Sequence, residues 1–246
     1  MPDLQWNLTT WNDQHGWDAE GDEWSVAWGG TRAQWYGTVY PRLHRFLPVA
    51  RILEIAPGHG RWTQFLLSHC GEYFGVDLSE NCVQACARRF GASTRSHFIK
   101  NDGQSLAAVP DDYIDFVFSF DSLVHVEIDI IREYTWQICQ KLTKTGVAFI
   151  HHSNAQSEVS DPQEARAGAR ALSVSSSLVK QLIEDCSATV LIQEEINWMG
   201  KSRTDCFTTF RKQKLLANPQ YQLIQNDDFL SEAELVRKNH SPYSRV

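Results

Sequence analysis

The stretch Ile52-Leu53-Glu54-Ile55-Ala56-Pro57-Gly58-His59-Gly60-Arg61-Trp62-Thr63 decides the fold class. An apolar run carrying one acidic residue turns at Ala-Pro-Gly and continues with helical spacing, which reads as strand, tight turn, helix. Gly58 and Gly60 remove side chains where the backbone must approach a ligand, and the amino end of the following helix offers free N–H groups. A nucleotide-like ligand is implied. A dinucleotide fingerprint needs a glycine three residues after its second glycine, and Thr63 stands there, so a NAD-dependent oxidoreductase is the poorer reading.

Outward from this turn, short apolar runs at 51–55, 73–76, 97–99, 114–120 and 147–150 alternate with amphipathic segments at 61–69, 80–90 and 127–142. That alternation predicts a doubly wound parallel sheet with crossover helices and ligand loops at the carboxyl ends of the strands. Residues 155–172 are polar and rich in small side chains, an excursion expected over the pocket mouth. A helix at about 175–185 follows, then strands at 189–196 and 205–210 joined closely enough to be antiparallel. The first 47 residues hold Trp6, Trp11, Trp17, Trp24, Trp28 and Trp35, six of the nine tryptophans. Gly16, Gly21, Gly29 and Gly30 break this stretch into pieces, which predicts a packed helical cap that docks rings onto a larger body. The expected domains are a cap over the active site at 1–47, a ligand-binding domain at 48–211 and a helical appendage at 212–246.

Composition bounds the function classes. A chain of 246 residues with 42% hydrophobic and 22% charged residues is globular and suits one elaborated domain. With 23 basic against 30 acidic residues the net charge is -7, which disfavours a phosphate-tracking surface and hence a nucleic-acid partner. No apolar stretch approaches the ~20 residues of a membrane span, and residues 1–11 lack a secretory pattern, so a cytoplasmic protein without a membrane partner is expected. The six cysteines form no CxxC pair and read as reduced thiols.

With its acidic residue and glycine turn at this spacing, the chain resembles the class I S-adenosylmethionine (SAM)-dependent methyltransferases. Tyr73-Phe74-Gly75-Val76-Asp77-Leu78-Ser79 looks like the second motif of that family, Lys100-Asn101-Asp102-Gly103 ends the third strand, and Asp115 to Asp121 looks like the fourth motif. The resemblance covers about 48–211 and departs at Ala56, where the first glycine of the usual turn would stand. It implies a seven-stranded Rossmann-like α/β sheet with an antiparallel last strand, and SAM as cofactor with S-adenosylhomocysteine as product. It assigns cofactor contacts to Glu54 (the ammonium group), Ala56, Gly58, Gly60, Thr63, Asp77 (the ribose hydroxyls), Leu78, Asp102 and Gly103 (the adenine), and Phe120.

Methyl transfer from a sulfonium needs alignment, plus a base if the acceptor is a hydroxyl. Candidate bases fall at the ends of the fourth and fifth strands: Asp121 and His125 in Ser119-Phe120-Asp121-Ser122-Leu123-Val124-His125, and His151 and His152 in Ile150-His151-His152-Ser153-Asn154. Strand alternation lets only one of the last two face a pocket. Asp121 with a histidine is also a candidate pair for a divalent cation, but no metal-ligand spacing supports it. Ser119-Phe120-Asp121-Ser122 lacks the Asn/Asp-Pro-Pro-Tyr/Phe of many amino-group methyltransferases, which favours an oxygen acceptor.

Aromatic rings beside Asn, His and Arg suit a sugar, with the cap, residues 155–172 and the loop 197–203 as the expected acceptor pocket. Arg166 and Arg170, four apart, offer a cationic face there, and residues 40–48 offer either a second basic cluster or only an anchor for the cap. The Trp-rich start, the glycine turn and His-His-Ser-Asn together look like methyltransferases of bacterial polysaccharide and glycoside pathways, which implies O-methylation of a sugar, a nucleotide sugar or a glycosylated metabolite. An amine or carboxylate acceptor, or a non-catalytic partner subunit that keeps the SAM fold, are the alternatives. A homodimer is left open.

Overall fold

A computed structural model describes residues 2–158, 168–198, 200, 202–213 and 221–239. Its centre is one eight-stranded sheet: β1 (Val49–Ile55), β2 (Cys70–Asp77), β3 (Ser96–Lys100), β4 (Ile114–Leu123), β5 (Leu142–Ser153), β6 (Thr189–Ile196), β7 (Asp205–Arg211) and β8 (Gln222–Asn226). The spatial order is β3-β2-β1-β4-β5-β7-β6-β8, with β7 antiparallel to both β5 and β6 and the other pairs parallel. The order reverses between β1 and β4, the place where open α/β sheets bind ligands.

Both faces of the sheet are buried, which is why the central strands run apolar. Along β1, Leu53 and Ile55 join one core cluster and Ile52 the other, as alternation requires. The first cluster takes Ile131, Tyr134 and Ile138 from α2 (Ile128–Lys141), and Val179 and Ile183 from α3 (Ser176–Asp185). The second takes Trp28, Trp35, Val39 and Leu43 from the N-terminal segment, with Phe229 and Ala233 from α4 (Phe229–Asn239). Four of the buried rings, Phe116, Phe118, Phe149 and Phe207, come from β4, β5 and β7, so the tryptophans of this face pack on aromatic strands. The remaining long helix, α1 (Glu80–Phe90), lies on β2 and β3 and is capped by Ser79, whose hydroxyl accepts from the Cys82 amide.

Several expectations are corrected. The sheet has eight strands, not seven, because the stretch expected to be a helical appendage contributes β8 as well as α4. The segment 61–69 is not one helix but two short pieces, Thr63–Leu66 and Leu67–His69. The basic cluster at 40–48 is a tie: Arg42 donates to Glu194 of β6 at 2.7 Å and to Glu232 of α4 at 3.0 Å, which binds the N-terminal segment to the far end of the sheet. Arg166 and the middle of the 155–172 excursion lie outside the described residues.

Gly60 carries a packing demand of its own. Its φ is +88°, and a Cβ there would meet Phe90 Cε2 at 2.4 Å. Gly60→Ala is therefore expected to cost about 2 kcal/mol or more, through left-handed strain plus overpacking. Thermal unfolding should show a Tm lower by roughly 4–8 °C.

Candidate active site

At the carboxyl ends of β1, β2 and β4 lies a cavity of about 440 Å³, in the range of small-molecule sites. One end is the turn after β1. Ala56 and Gly58 adopt φ of +57° each, so alanine occupies the left-handed position where the usual turn has glycine. The Asp77 carboxylate stands beside this turn, accepting from the Gly58 amide at 3.0 Å and the Ser79 amide at 2.8 Å. Each of its oxygens thus takes one backbone N–H and keeps lone pairs for another donor. Ile55, Val76, Leu78, Leu123 and Val126 add apolar wall. A carboxylate at the end of β2 beside an apolar slot fits a nucleoside, with the diol on Asp77 and the base against the aliphatic side chains.

Burial pushes the Asp77 carboxyl up to about 6, against the partial relief of its backbone hydrogen bonds. Because the folded value lies above the ordinary one of 3.8, the stability this group contributes is full below that value and is lost as pH rises through about 6. Hydroxyl donors favour the ionised form, so a diol ligand restores that stability. Between pH 7 and pH 5, affinity for a nucleoside ligand is expected to fall about tenfold as the acceptor is protonated. Asp77→Asn should flatten that dependence in calorimetric titrations.

The rest of the lining is aromatic, and Trp17 lies directly over Gly58 of the turn. Trp6, Trp11, Trp17, Trp24 and His15 from the N-terminal segment face Trp62, Phe120, Trp198 and His125. The segment is seated by specific contacts. Asn7 donates to the His125 carbonyl at 2.8 Å, Asn12 accepts from the Ser79 hydroxyl at 2.9 Å, and the Trp17 ring stacks on His59 at 4.5 Å with 7° between planes. It touches both the nucleoside end and the histidine end.

His125 lies in this wall with its ring 5.4 Å from that of Trp11 and 5.9 Å from that of Trp6. Its Nδ1 is 2.8 Å from the Ala169 carbonyl, and a carbonyl can only accept, so Nδ1 carries the proton and Nε2 keeps a lone pair. Burial, with Arg170 nearby, pushes its pKa down to about 4. It is therefore neutral at physiological pH. Asp121, at φ +61° in an irregular stretch of β4, pairs with Arg61 at 2.9 Å, and both side chains line the cavity.

Not every expected residue is brought here. Ala56, Gly58, Asp77, Leu78, Gly103, Phe120, Asp121 and His125 line the cavity. Glu54 does not: its Oε2 accepts from Thr63 at 2.7 Å and Tyr73 at 2.5 Å, and burial pushes it up to about 7. That carboxylate, through Oε2, and Thr63 lock the turn to β2 from behind, outside the lining of the cavity. Gly60 packs on α1 instead. Asp102 closes its own turn, its Oδ1 accepting from the Gln104 and Ser105 amides, and it does not line the cavity, whereas its neighbour Gly103 does.

Neither strand-end histidine lines the cavity. His152 is fully buried between Thr208 Oγ1 at 2.7 Å and the Ser153 carbonyl at 2.8 Å. His151 is fully buried against Asp205. Both are corrected as bases because their nitrogens are committed inside the sheet layer. Asp121 and the histidines also do not converge as metal ligands, and no group of three or more His, Cys, Asp or Glu is arranged for a metal among the described residues. Arg170, expected on a cationic face of the pocket, lines the cavity, whereas Arg61 and Asp205 were not singled out; the position of Arg61 directly after the glycine turn was the available signal.

Comparison with known proteins places this geometry. Residues 52–146 match the family model described as a methyltransferase domain. No curated protein sequence matches the chain. Solved structures share the fold at low identity. A chain of the Haloferax volcanii complex containing the Trm112 methyltransferase activator has a TM-score of 0.59 and 18% identity, covering 79% of this chain and 96% of its own. An S-adenosylmethionine-dependent methyltransferase from Mesorhizobium loti has a TM-score of 0.56 and 18% identity, covering 73% and 97%. The N-methyltransferase NodS from Bradyrhizobium japonicum WM9 has a TM-score of 0.56 and 13% identity, covering 74% and 97%. The fold is the Rossmann-like α/β fold that these SAM-dependent methyltransferases share, and the segment with the glycine turn and Asp77 is the part that matches the methyltransferase-domain model. Among the described residues no helix is long and apolar enough to cross a membrane.

Proposed function

We propose that the protein is a SAM-dependent methyltransferase that methylates a hydroxyl of a small molecule, with a sugar or glycosylated metabolite as the acceptor class. One observation carries the reading: a single cavity joins the Ala56–Gly58 turn and Asp77 to His125 across an aromatic wall. When bound, SAM supplies a methyl group on a sulfonium. Asp77 would take the ribose hydroxyls, and the Ala56 and Gly58 backbone would pass close to the methionine portion. Arg61, held by Asp121, stands at the same end of the cavity as a partner for its carboxylate.

The acceptor would lie between His125 and the tryptophans of the N-terminal segment, which acts as a cap over the site. Rings cover the apolar faces of a sugar, while Asn7, His15 and His125 offer polar edges. His125 Nε2 would accept the hydroxyl proton as the oxygen–carbon bond forms. A value near 4 does not disqualify it. The proton leaves an oxygen that is becoming a protonated ether, far more acidic than an imidazolium, so a weak base suffices late in the transfer. As the carbon–sulfur bond breaks and the sulfonium charge is lost, His125 would carry that charge as an imidazolium, and the cap would keep water away from the exchange.

The test is mass spectrometry of sugars, nucleotide sugars, glycosides and matched amines incubated with the protein and SAM. Gain of one methyl group on a hydroxyl of the sugar set is expected. Methylation confined to nitrogen acceptors would overturn the hydroxyl reading.

A further inference from the structure

Behind the cavity wall, a carboxylate with no solvent exposure joins two parts of the site. Asp205, the first residue of β7, accepts from Arg170 Nε at 2.9 Å through Oδ1 and from Arg170 Nη2 at 2.7 Å through Oδ2. This is a two-pronged guanidinium–carboxylate pair. The same Oδ2 lies 3.0 Å from His151 Nε2. On the other side of that ring, the Asp121 amide donates to Nδ1 at 3.0 Å. An amide can only donate, so Nδ1 is bare and His151 is the neutral tautomer with its proton on Nε2, pointed at Asp205. Burial alone would raise the Asp205 carboxyl, but Arg170 and His151 outweigh it and hold the group well below the usual range.

We propose that Asp205 is a positioning residue that sets both the His125 tautomer and the Asp121–Arg61 pair. One arm runs through Arg170, which also donates to the Gly168 carbonyl at 2.9 Å and so fixes a turn in which Ala169 adopts φ +51°. The carbonyl of Ala169 is the acceptor that keeps the proton on His125 Nδ1. The other arm runs through His151, whose ring is held among Phe120, Trp198 and Phe207 at centroid distances of 5.1, 5.1 and 4.8 Å. It anchors the amide of Asp121 at its left-handed φ, from which the side chain reaches Arg61. A buried ion pair is costly to desolvate, and replacing one by apolar packing is often neutral or stabilising. Here the pair is connected to two cavity-wall residues on different elements, which gives it a job that apolar packing would not do.

The role rests on the methyl-transfer reading, but its first test does not need turnover. In protein labelled with ¹⁵N-histidine, NMR reads which ring nitrogen carries the proton. The parent is expected to show His125 protonated on Nδ1, and Asp205→Asn to show it as a mixture. With an acceptor in hand, Asp205→Asn should lower kcat on the order of 10²-fold, as when a base loses its tautomer. Its affinity for S-adenosylhomocysteine should also weaken, by several-fold, because the Asp121–Arg61 pair includes the guanidinium placed against that ligand's carboxylate. If that variant does not fold, His151→Gln and His151→Leu decide. Glutamine can donate to Asp205 and accept from the Asp121 amide, so it should keep most of kcat, while leucine should lose it. A folded Asp205→Asn with an unchanged His125 tautomer, or equal kcat in the glutamine and leucine variants, would overturn the proposal.

Discussion

His125→Ala is expected to reduce turnover on the order of 10²-fold or more while leaving S-adenosylhomocysteine affinity nearly unchanged, because the imidazole serves the acceptor and not the nucleoside end. The split follows from where the ring sits. It lies against Trp6 and Trp11 in the wall of the cavity that Asp77 also lines, and its Nε2 is the nitrogen without a proton. Because burial puts its pKa at about 4, no histidine limb should show near pH 6–7 in kcat; loss through this residue comes only as pH falls towards 4. The folded value lies below the ordinary one, so the sign is a loss on acidification, both for activity and for the stability this group contributes. Equal activity in the alanine variant would remove the base and leave alignment alone to drive the transfer.

The second large effect belongs to Asp77. Asp77→Ala removes an acceptor for paired hydroxyl hydrogen bonds and is expected to weaken S-adenosylhomocysteine binding by about 2–3 kcal/mol, read as a rise in Kd of roughly 30–150-fold by calorimetry. It also strips the Gly58 and Ser79 amides of their partner, which loosens the turn as well as the ribose contact. Asp102→Ala, by contrast, should change Kd little, because that carboxylate closes its own turn outside the cavity wall.

How far the sequence leads can be seen residue by residue. The strands that decide the fold are buried on both faces, so their apolar runs are continuous and read directly: expectations at 51–55, 114–120 and 147–150 fall inside β1, β4 and β5. The closing pair β6 and β7 is antiparallel as its short connection requires. β8 was not legible. Its residues 222–225 are all exposed at the edge of the sheet, so no alternation of apolar and polar positions marks it. Nor was the change at Leu67, where the α-helical Thr63–Leu66 passes directly into the tighter turn Leu67–His69.

In the site, residues whose role is carried by the backbone or by a strand end were the legible ones: Gly58, Asp77, Phe120. The place of Glu54 outside the cavity lining was not legible, because an acidic residue before a glycine turn says nothing about which face of the strand it occupies. Alternation places Glu54 with Ile52 on the face opposite Ile55, where Thr63 and Tyr73 close over it. His151 and His152 were misread for a related reason. A strand end looks like a site edge in sequence, but β7 covers both, and Asp205 and Thr208 supply partners that only the antiparallel register brings near. Asp205 itself carries no local signal, since its partners are 35 and 54 residues away in the chain.

The most direct test of the central claim is calorimetric titration of the purified protein with SAM and, separately, S-adenosylhomocysteine, with NAD as the control. Micromolar binding of both sulfur ligands and none of NAD is expected. Absence of heat and of any thermal shift with either sulfur ligand would contradict it, because the Ala56-Pro57-Gly58 turn and Asp77 would then not form a cofactor site.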